Sequence, residues 1–431
     1  MRIAIDISAL QTPHRMRGIG FTILNLINHI SADDRKKHQF ILFMLEEDTQ
    51  ELLNLLNLEG IDYEVRYIKL NHDLGASPTT PGRLKRLMKS AVRQSHELSE
   101  RYYGSQKFGQ VNDIDAFIQP DQSQNLPRGK RIKKVLVLYD IIPYVLEWDY
   151  LWSYRTARRH GFPRLAAFRC QARRWVYLKK LKISVKRTDL MLAISEATKA
   201  DFVRYVGAQA QKISVIHLGV SDRQELTNIE PELQRYHKSS WGYIAKPFKM
   251  DPDIPFLLYI GGADHRRRLD DLVAAFNNLR AQGSVIKLVL TGDILQGPDH
   301  IPSPIINHAL NNSSYLEDII FMGFVSDEIK DFLYAKALVF IYPSRYEGFG
   351  LPILEAMSHG TPVITYKNSS IPEVGGSAVI YAEDYASIAD AVKDLIRDKS
   401  TYQKYSAAGL ARAAKFSWAK TSDKILNSID N

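Results

Sequence analysis

The residues best suited to chemistry lie in the stretch SRYEGFGLPILEAMSHGTPVI, residues 344–364, where Glu347 and Glu355 stand eight positions apart around a Gly-Phe-Gly turn and a proline. The preceding run ALVFIYP, 337–343, has the length and the β-branched and aromatic content of a buried parallel strand. Gly348 and Gly350 permit backbone angles closed to other residues, and Pro352 suits the first turn of a helix expected at about 352–359. The free N–H groups and dipole of that helix point back at the turn and make an anion site. Glu355, one turn in, should reach past the turn, and Glu347 stands on its opposite lip. Taken alone, the stretch also fits an ordinary strand, turn and helix with two solvated acids.

Cations for such an anion are at hand. YIGGADHRRRLDDL, 259–272, ends a strand, turns through Gly261-Gly262 and presents Arg266, Arg267 and Arg268 before the next helix. In RMRGIGFTILNL, 15–26, Gly18 and Gly20 would let backbone approach a ligand, though a lone G-x-G is weak evidence. Asp140, in VLYDIIPY, sits at a strand end, where it is either a functional acid or a cap. Asp251 and Asp253 form a D-x-D, but in the context MDPDIP they read as a turn, and the twelve histidines show no compact ligand cluster, so no metal is expected.

The elements that must position these residues alternate along the chain. Apolar runs at 1–10, 40–45, 62–70, 115–120, 133–141, 189–195 and 212–219 read as strands, with helices at 21–30, at 196–206 and over much of 151–182. The polar stretch 221–253 reads as a linker, and a second alternation follows it. At 431 residues two domains are expected: 1–220, joined by a last helix within 415–431, and 254–414. Two doubly wound α/β halves place a ligand at the carboxyl ends of their strands.

Composition bounds the rest. The 45% hydrophobic and 24% charged content is that of a globular chain. One cysteine, Cys170, allows no intrachain disulfide and fits a reducing compartment. No run reaches the roughly 18 apolar residues of a membrane span, and the N-terminus reads as a strand rather than a signal peptide; a cytoplasmic protein is expected. The net charge is +9, and its placement is uneven: 151–188 holds twelve Lys and Arg and no acid, with aromatic residues interleaved, and 82–94 is a second basic stretch. Such surfaces attract an anionic membrane or another polyanion, or are solvated helix faces.

The GFGLP-bearing E-x7-E stretch resembles the signature of the retaining nucleotide-sugar glycosyltransferases of family four, which have the GT-B fold of two Rossmann-like domains facing a cleft. FMGFVSDEIKDFLYAKA, SSIPEVGG, AISEATKADF and KISVIHLGV resemble that family in order and spacing. The resemblance does not extend to 75–110, 151–187 or 225–253. It implies a donor site of Gly18, Gly20, Gly262, Arg266, Arg267, Val325, Glu347, Gly348, Phe349, Gly350, Leu351 and Glu355, with Asp140 on the acceptor side. Glu355 would hold the donor ribose, Glu347 a hydroxyl of the transferred sugar, and the N–H groups of Phe349, Gly350 and Leu351 the diphosphate. Arg266 matches the family's arginine, Arg267 stands where a lysine is usual, and Tyr139 replaces the histidine of a His-Asp pair; a phenol is no base near neutral pH. The resemblance further implies a metal-free reaction, a nucleotide-sugar donor, and a glycan or lipid-linked acceptor. Mannose from GDP-mannose is the leading expectation, with UDP- and dTDP-sugars open and a sugar epimerase of the same fold as the rival enzyme. A nicotinamide enzyme is disfavoured because the third glycine of G-x-G-x-x-G is missing after Gly18-Ile19-Gly20. Nucleic acid is an unexpected partner, since it would leave the paired glutamates unexplained.

Overall fold

The computed structural model describes residues 1–16, 18–47, 49–70, 106–108, 111–129, 131–220, 237–238, 244–245, 251, 254–301 and 303–430. The basic stretch 82–94, Asp253 and nearly all of the expected linker 221–253 lie outside them. The chain forms two compact units, Met1–Gly219 with Trp418–Asn431, and Val220–Ser417.

Unit 1 is built on seven strands: β1 (Arg2–Asp6), β2 (Gln39–Met44), β3 (Tyr63–Tyr67), β4 (Ala116–Gln119), β5 (Lys133–Leu138), β6 (Leu190–Ala193) and β7 (Ile213–Val215). They form one sheet in the order β3-β2-β1-β4-β5-β6-β7, and all its pairings are parallel. Ile3, Ala4 and Ile5, the apolar centre of β1 between Arg2 and Asp6, are completely buried, as expected where helices cover both faces of a parallel sheet. The helix after β1, α1, spans Gly18–Asn28 and so starts earlier than the expected 21–30. Its first turn therefore includes both glycines, and the Thr22 hydroxyl donates to the Gly18 carbonyl at 2.7 Å. Between β5 and β6 runs α2 (Arg164–Arg187).

Unit 2 carries β8 (Phe256–Ile260), β9 (Lys287–Thr291), β10 (Ile319–Gly323), β11 (Val339–Tyr342), β12 (Val363–Tyr366) and β13 (Ile380–Ala382), ordered β10-β9-β8-β11-β12-β13 and parallel throughout. The helices that matter most are α3 (Leu269–Ala281), α4 (Asp327–Lys336) and α5 (Leu351–Ser358). In both sheets the strand order reverses beside the first strand, between β1 and β4 and between β8 and β11. Loops leaving such a pair run to opposite sides and open a crevice at the strands' carboxyl ends.

The last helix, α6 (Trp418–Asp430), returns to unit 1. Ile425, Leu426 and Ile429 join the cluster of Ile23, Leu26 and Ile27 from α1, and the Ser422 hydroxyl donates to the Leu26 carbonyl at 3.0 Å.

Candidate active site

β8 and β11 pair through Leu257 with Val339 and Leu258 with Phe340, so the two loops leaving their carboxyl ends are neighbours. One carries the arginines and the other Glu347. Arg266 Nη1 lies 2.5 Å from Glu347 Oε1, and both side chains are buried. The same nitrogen donates to the Tyr346 carbonyl at 2.7 Å, and Arg345 N–H donates to the Arg266 carbonyl at 2.7 Å, which stitches the loops together. Glu347 Oε1 also accepts from Tyr342 Oη at 2.9 Å and Ser344 Oγ at 2.8 Å. Its Oε2 has no partner among the described residues. Burial alone would push the Glu347 carboxyl up, but Arg266 and Arg267, with hydrogen bonds from Ser344 and Arg266, outweigh it and hold it below its ordinary value.

Arg267 plays a different part from Arg266. Its Nη1 approaches the Gly262 carbonyl at 3.5 Å, while Nε is 3.7 Å from Asp264 and 4.0 Å from Glu347. That Nε is buried and lacks a hydrogen-bond partner among the described residues. A positive charge is thus held in place with spare donor capacity. Gly261 makes room for it: at φ +153° a side chain is strained, and an added Cβ would stand 2.6 Å from Arg267 Nη1. Below lie two stacked phenols, Tyr259 and Tyr342, with ring centroids 5.9 Å apart. Burial pushes the Tyr259 hydroxyl up to about 12, so it stays neutral and donates to the Gly262 carbonyl at 2.6 Å. Arg268 takes the left-handed conformation at φ +49° and turns back onto the first turn of α3, pairing with Asp270 at 3.0 Å and Asp271 at 2.7 Å.

The turn after Glu347 is built as its glycines require. Gly350, at φ +112°, is the N-cap residue of α5. The Ser370 hydroxyl lies 2.9 Å from the Glu347 carbonyl and 2.8 Å from that of Phe349, bracing the turn from the adjoining loop, while Ser369 Oγ accepts from Glu347 N–H at 2.9 Å. Gly348 is buried, Leu351 is half-buried, and the Phe349 ring packs on Phe416. On α5, Glu355 Oε2 accepts from Tyr334 Oη at 3.0 Å, and Oε1 is 3.7 Å from Lys330 Nζ, both partners on α4. Burial would lower Lys330, but Glu355 and Asp327 more than reverse this and keep it cationic. Val325, half-buried, directly precedes the Ser326 cap of α4.

Unit 1 holds the remaining expected residues. An added Cβ on Gly20 would meet the Arg15 carbonyl oxygen at 2.2 Å, so Gly20 lets α1 pack on its own lead-in, whereas Gly18 faces open space. Asp140 follows β5, and its Oδ1 accepts from Ile142 N–H at 3.0 Å, the contact of an Asx turn one residue ahead of the helix cap Ile141. Gln122 Oε1 accepts from Tyr139 N–H at 2.8 Å, so the loop after β4 is tied to the one after β5. At the switch point itself Asp6 is buried, with Ser8 Oγ at 2.6 Å and Gln119 Nε2 at 2.8 Å; burial nonetheless pushes its carboxyl up.

The structure thus gathers Gly262, Arg266, Arg267 and Glu347 in one node of unit 2, sets Gly348 to Leu351 directly after it, and gives Glu355 its own partners on α4. Gly18, Gly20 and Asp140 belong to unit 1. Sequence reasoning missed Tyr342, Tyr259, Ser344, Tyr334 and Lys330. The tyrosines had no separate signal, being part of apolar or helical runs whose hydroxyl direction only the folded sheet defines. No group of three or more His, Cys, Asp or Glu that could hold a metal occurs among the described residues.

Two parallel sheets of this order, each with a loop site at its switch point, define the two-domain GT-B class. A crystal structure of Anabaena HepE in complex with UDP and glucose superposes with a TM-score of 0.61 at 16% identity, over 100% of this chain and 99% of that one. Residues 91–224 match the family model described as Glycosyltransferase Family 4, and residues 244–412 the one described as Glycosyl transferases group 1. The O-antigen chain mannosyltransferase B of Escherichia coli is 30% identical over 58% of this chain and 62% of its own length. The serotype-specific mannosyltransferase WbdA of Escherichia coli is 27% identical over 67% of this chain but only 32% of its own. The chain therefore spans less than two thirds of these curated relatives. Each half of the chain is thus similar to a glycosyltransferase family, with family 4 matched over 91–224.

Proposed function

We propose that this chain is a retaining glycosyltransferase that moves a hexose, mannose from GDP-mannose, onto a glycan or lipid-linked acceptor in surface-polysaccharide assembly. What carries this reading is the node at the unit 2 switch point: Glu347 is held ionised through Oε1 with Oε2 unengaged, beside the under-bonded guanidinium of Arg267. Oε2 accepts a hydroxyl of the transferred sugar. Arg267 and the N–H groups of Phe349, Gly350 and Leu351 meet the charge that builds on the departing diphosphate, where fixed donors are worth most. Arg266 acts through Glu347 by holding it in position. Glu355, set between Tyr334 and Lys330, accepts from the ribose. These cations supply the positive charge, and the reaction is read as metal-free.

The anomeric carbon loses its bond to the diphosphate oxygen and gains one to the acceptor oxygen on the same face, and the acceptor proton passes to the departing phosphate. Asp140, at the carboxyl end of β5, is the acid on the acceptor side. The reaction is placed in the cytoplasm. The mannosyltransferase relatives support the choice of sugar; the HepE complex favours a second reading, a UDP-hexose donor. A thermal-shift panel of GDP-, UDP- and dTDP-sugars decides between them, because the bound donor stabilises by mass action. Stabilisation by none of them removes the assignment.

A further inference from the structure

The helix α2 carries a solvent face that the fold does not explain. Its buried side is Ala167, Leu181 and Val185, packed into unit 1, with Arg174 clamped inward: Nη1 donates to the Tyr144 carbonyl at 2.9 Å and the Leu151 carbonyl at 3.0 Å. At 100° per residue, Leu165, Phe168, Trp175, Val176 and Ile183 fall within roughly a 100° sector on the opposite side. Their exposures are 55, 61, 57, 38 and 43%. Lys179 and Lys186 share that sector, Lys182 and Arg187 border it, and Lys179 Nζ sits 4.5 Å from the Trp175 ring centroid. Nearby, Trp148 is 50% exposed and Arg159 lies over its ring. Across 151–188 there is no acid.

We infer that this face of α2 docks on the surface of an anionic phospholipid bilayer, lying in the interface plane with Phe168 and Trp175 among the acyl chains and the lysines at the headgroups. Large apolar side chains lined up on one solvent face mark a binding surface rather than ordinary solvation. Alternating lysine and aromatic positions suit an interface, where the ammonium reaches outward along its own methylene stem. Charge complementarity chooses the partner. A second copy of this face would set cations against cations, and a nucleic acid would leave Leu165, Val176 and Ile183 without a role. Among the described residues no helix is long and apolar enough to cross a membrane, so the contact lies on the surface. The inference does not depend on the transfer reaction. It would, however, hold the loop after β5, to which Arg174 ties the helix, near lipid-borne acceptors.

Co-sedimentation of the full chain with vesicles of phosphatidylcholine, with and without phosphatidylglycerol, tests this. Binding to the phosphatidylglycerol vesicles at low salt, a fall at high salt and a blue shift of tryptophan emission are expected. Two double variants on the solvent face, Phe168→Ser with Trp175→Ser and Lys179→Glu with Lys186→Glu, should each weaken binding at least about tenfold while leaving the melting temperature and any donor-induced shift unchanged. No binding at low salt, binding indifferent to both variants, salt-sensitive binding to duplex DNA that outcompetes vesicles, or self-association abolished by the Phe168/Trp175 variant would each overturn it. Vesicle binding without stabilisation by any nucleotide sugar would leave this inference standing and remove only the transferase reading.

Discussion

Arg266 and Glu347 form a buried ion pair at 2.5 Å that joins the loops leaving the two central strands of unit 2. The contact links residues 81 apart in sequence and exists only because β8 and β11 are neighbours. Breaking a buried pair from one side leaves an uncompensated charge. Arg266→Met should therefore cost about 3–5 kcal/mol in denaturant unfolding, more than Glu347→Gln, whose amide still accepts from Tyr342 and Ser344. Equal small losses from both would mean that the pair is not holding the loops.

Arg267 and Glu355 should separate kinetically. Arg267→Ala removes a charge needed as the diphosphate departs, and kcat should fall about 100-fold or more with little change in donor affinity. Arg267→Lys keeps the charge but not the fork, and should recover part of the rate. Glu355→Ala should instead raise the donor Kd roughly tenfold or more, measured by calorimetry. Unchanged kinetics in both variants would remove the site assignment.

Gly261→Ala tests whether Arg267 must lie where it does. The new methyl collides with Nη1, so turnover should drop at least about tenfold. Gly283→Ala is the control: φ is +87° but an added Cβ there meets open space. It should lose about 1–3 kcal/mol of stability through backbone strain and keep its turnover.

The pH dependence of stability has a definite sign. The folded Glu347 carboxyl lies below its ordinary value, so its contribution is complete above the ordinary glutamate range and is lost as pH falls through the lower folded value. The melting-temperature gap between the chain and Glu347→Gln should be constant from neutral pH down to that range, then close in stronger acid. A gap that widens in acid would reverse the assignment.

Strands and the two-unit division were legible because a parallel strand covered on both faces is an apolar run, and ALVFIYP or FLLYI can be little else. The GFGLP turn was legible too, since Gly350 needs a backbone angle that the sequence declares. What could not be read was the division of labour among three consecutive arginines: one locked to Glu347, one under-bonded, one turned to cap α3. That division follows from a single left-handed residue, Arg268, and from a strand 70 or so positions away. Tyr342 looked like core because half of its environment is core. Lys330 carries no signal of its own in the sequence, because its partner Glu355 arrives from another helix.

Because α6 completes unit 1 only after all of unit 2 has been made, the first 219 residues cannot finish folding as they leave the ribosome. Until Trp418 to Ile429 arrive, Ile23, Leu26 and Ile27 lack part of their cover. A fragment ending at residue 417 should accordingly be a sticky, chaperone-dependent species, and any attempt to produce the N-terminal unit alone must graft that closing helix onto it.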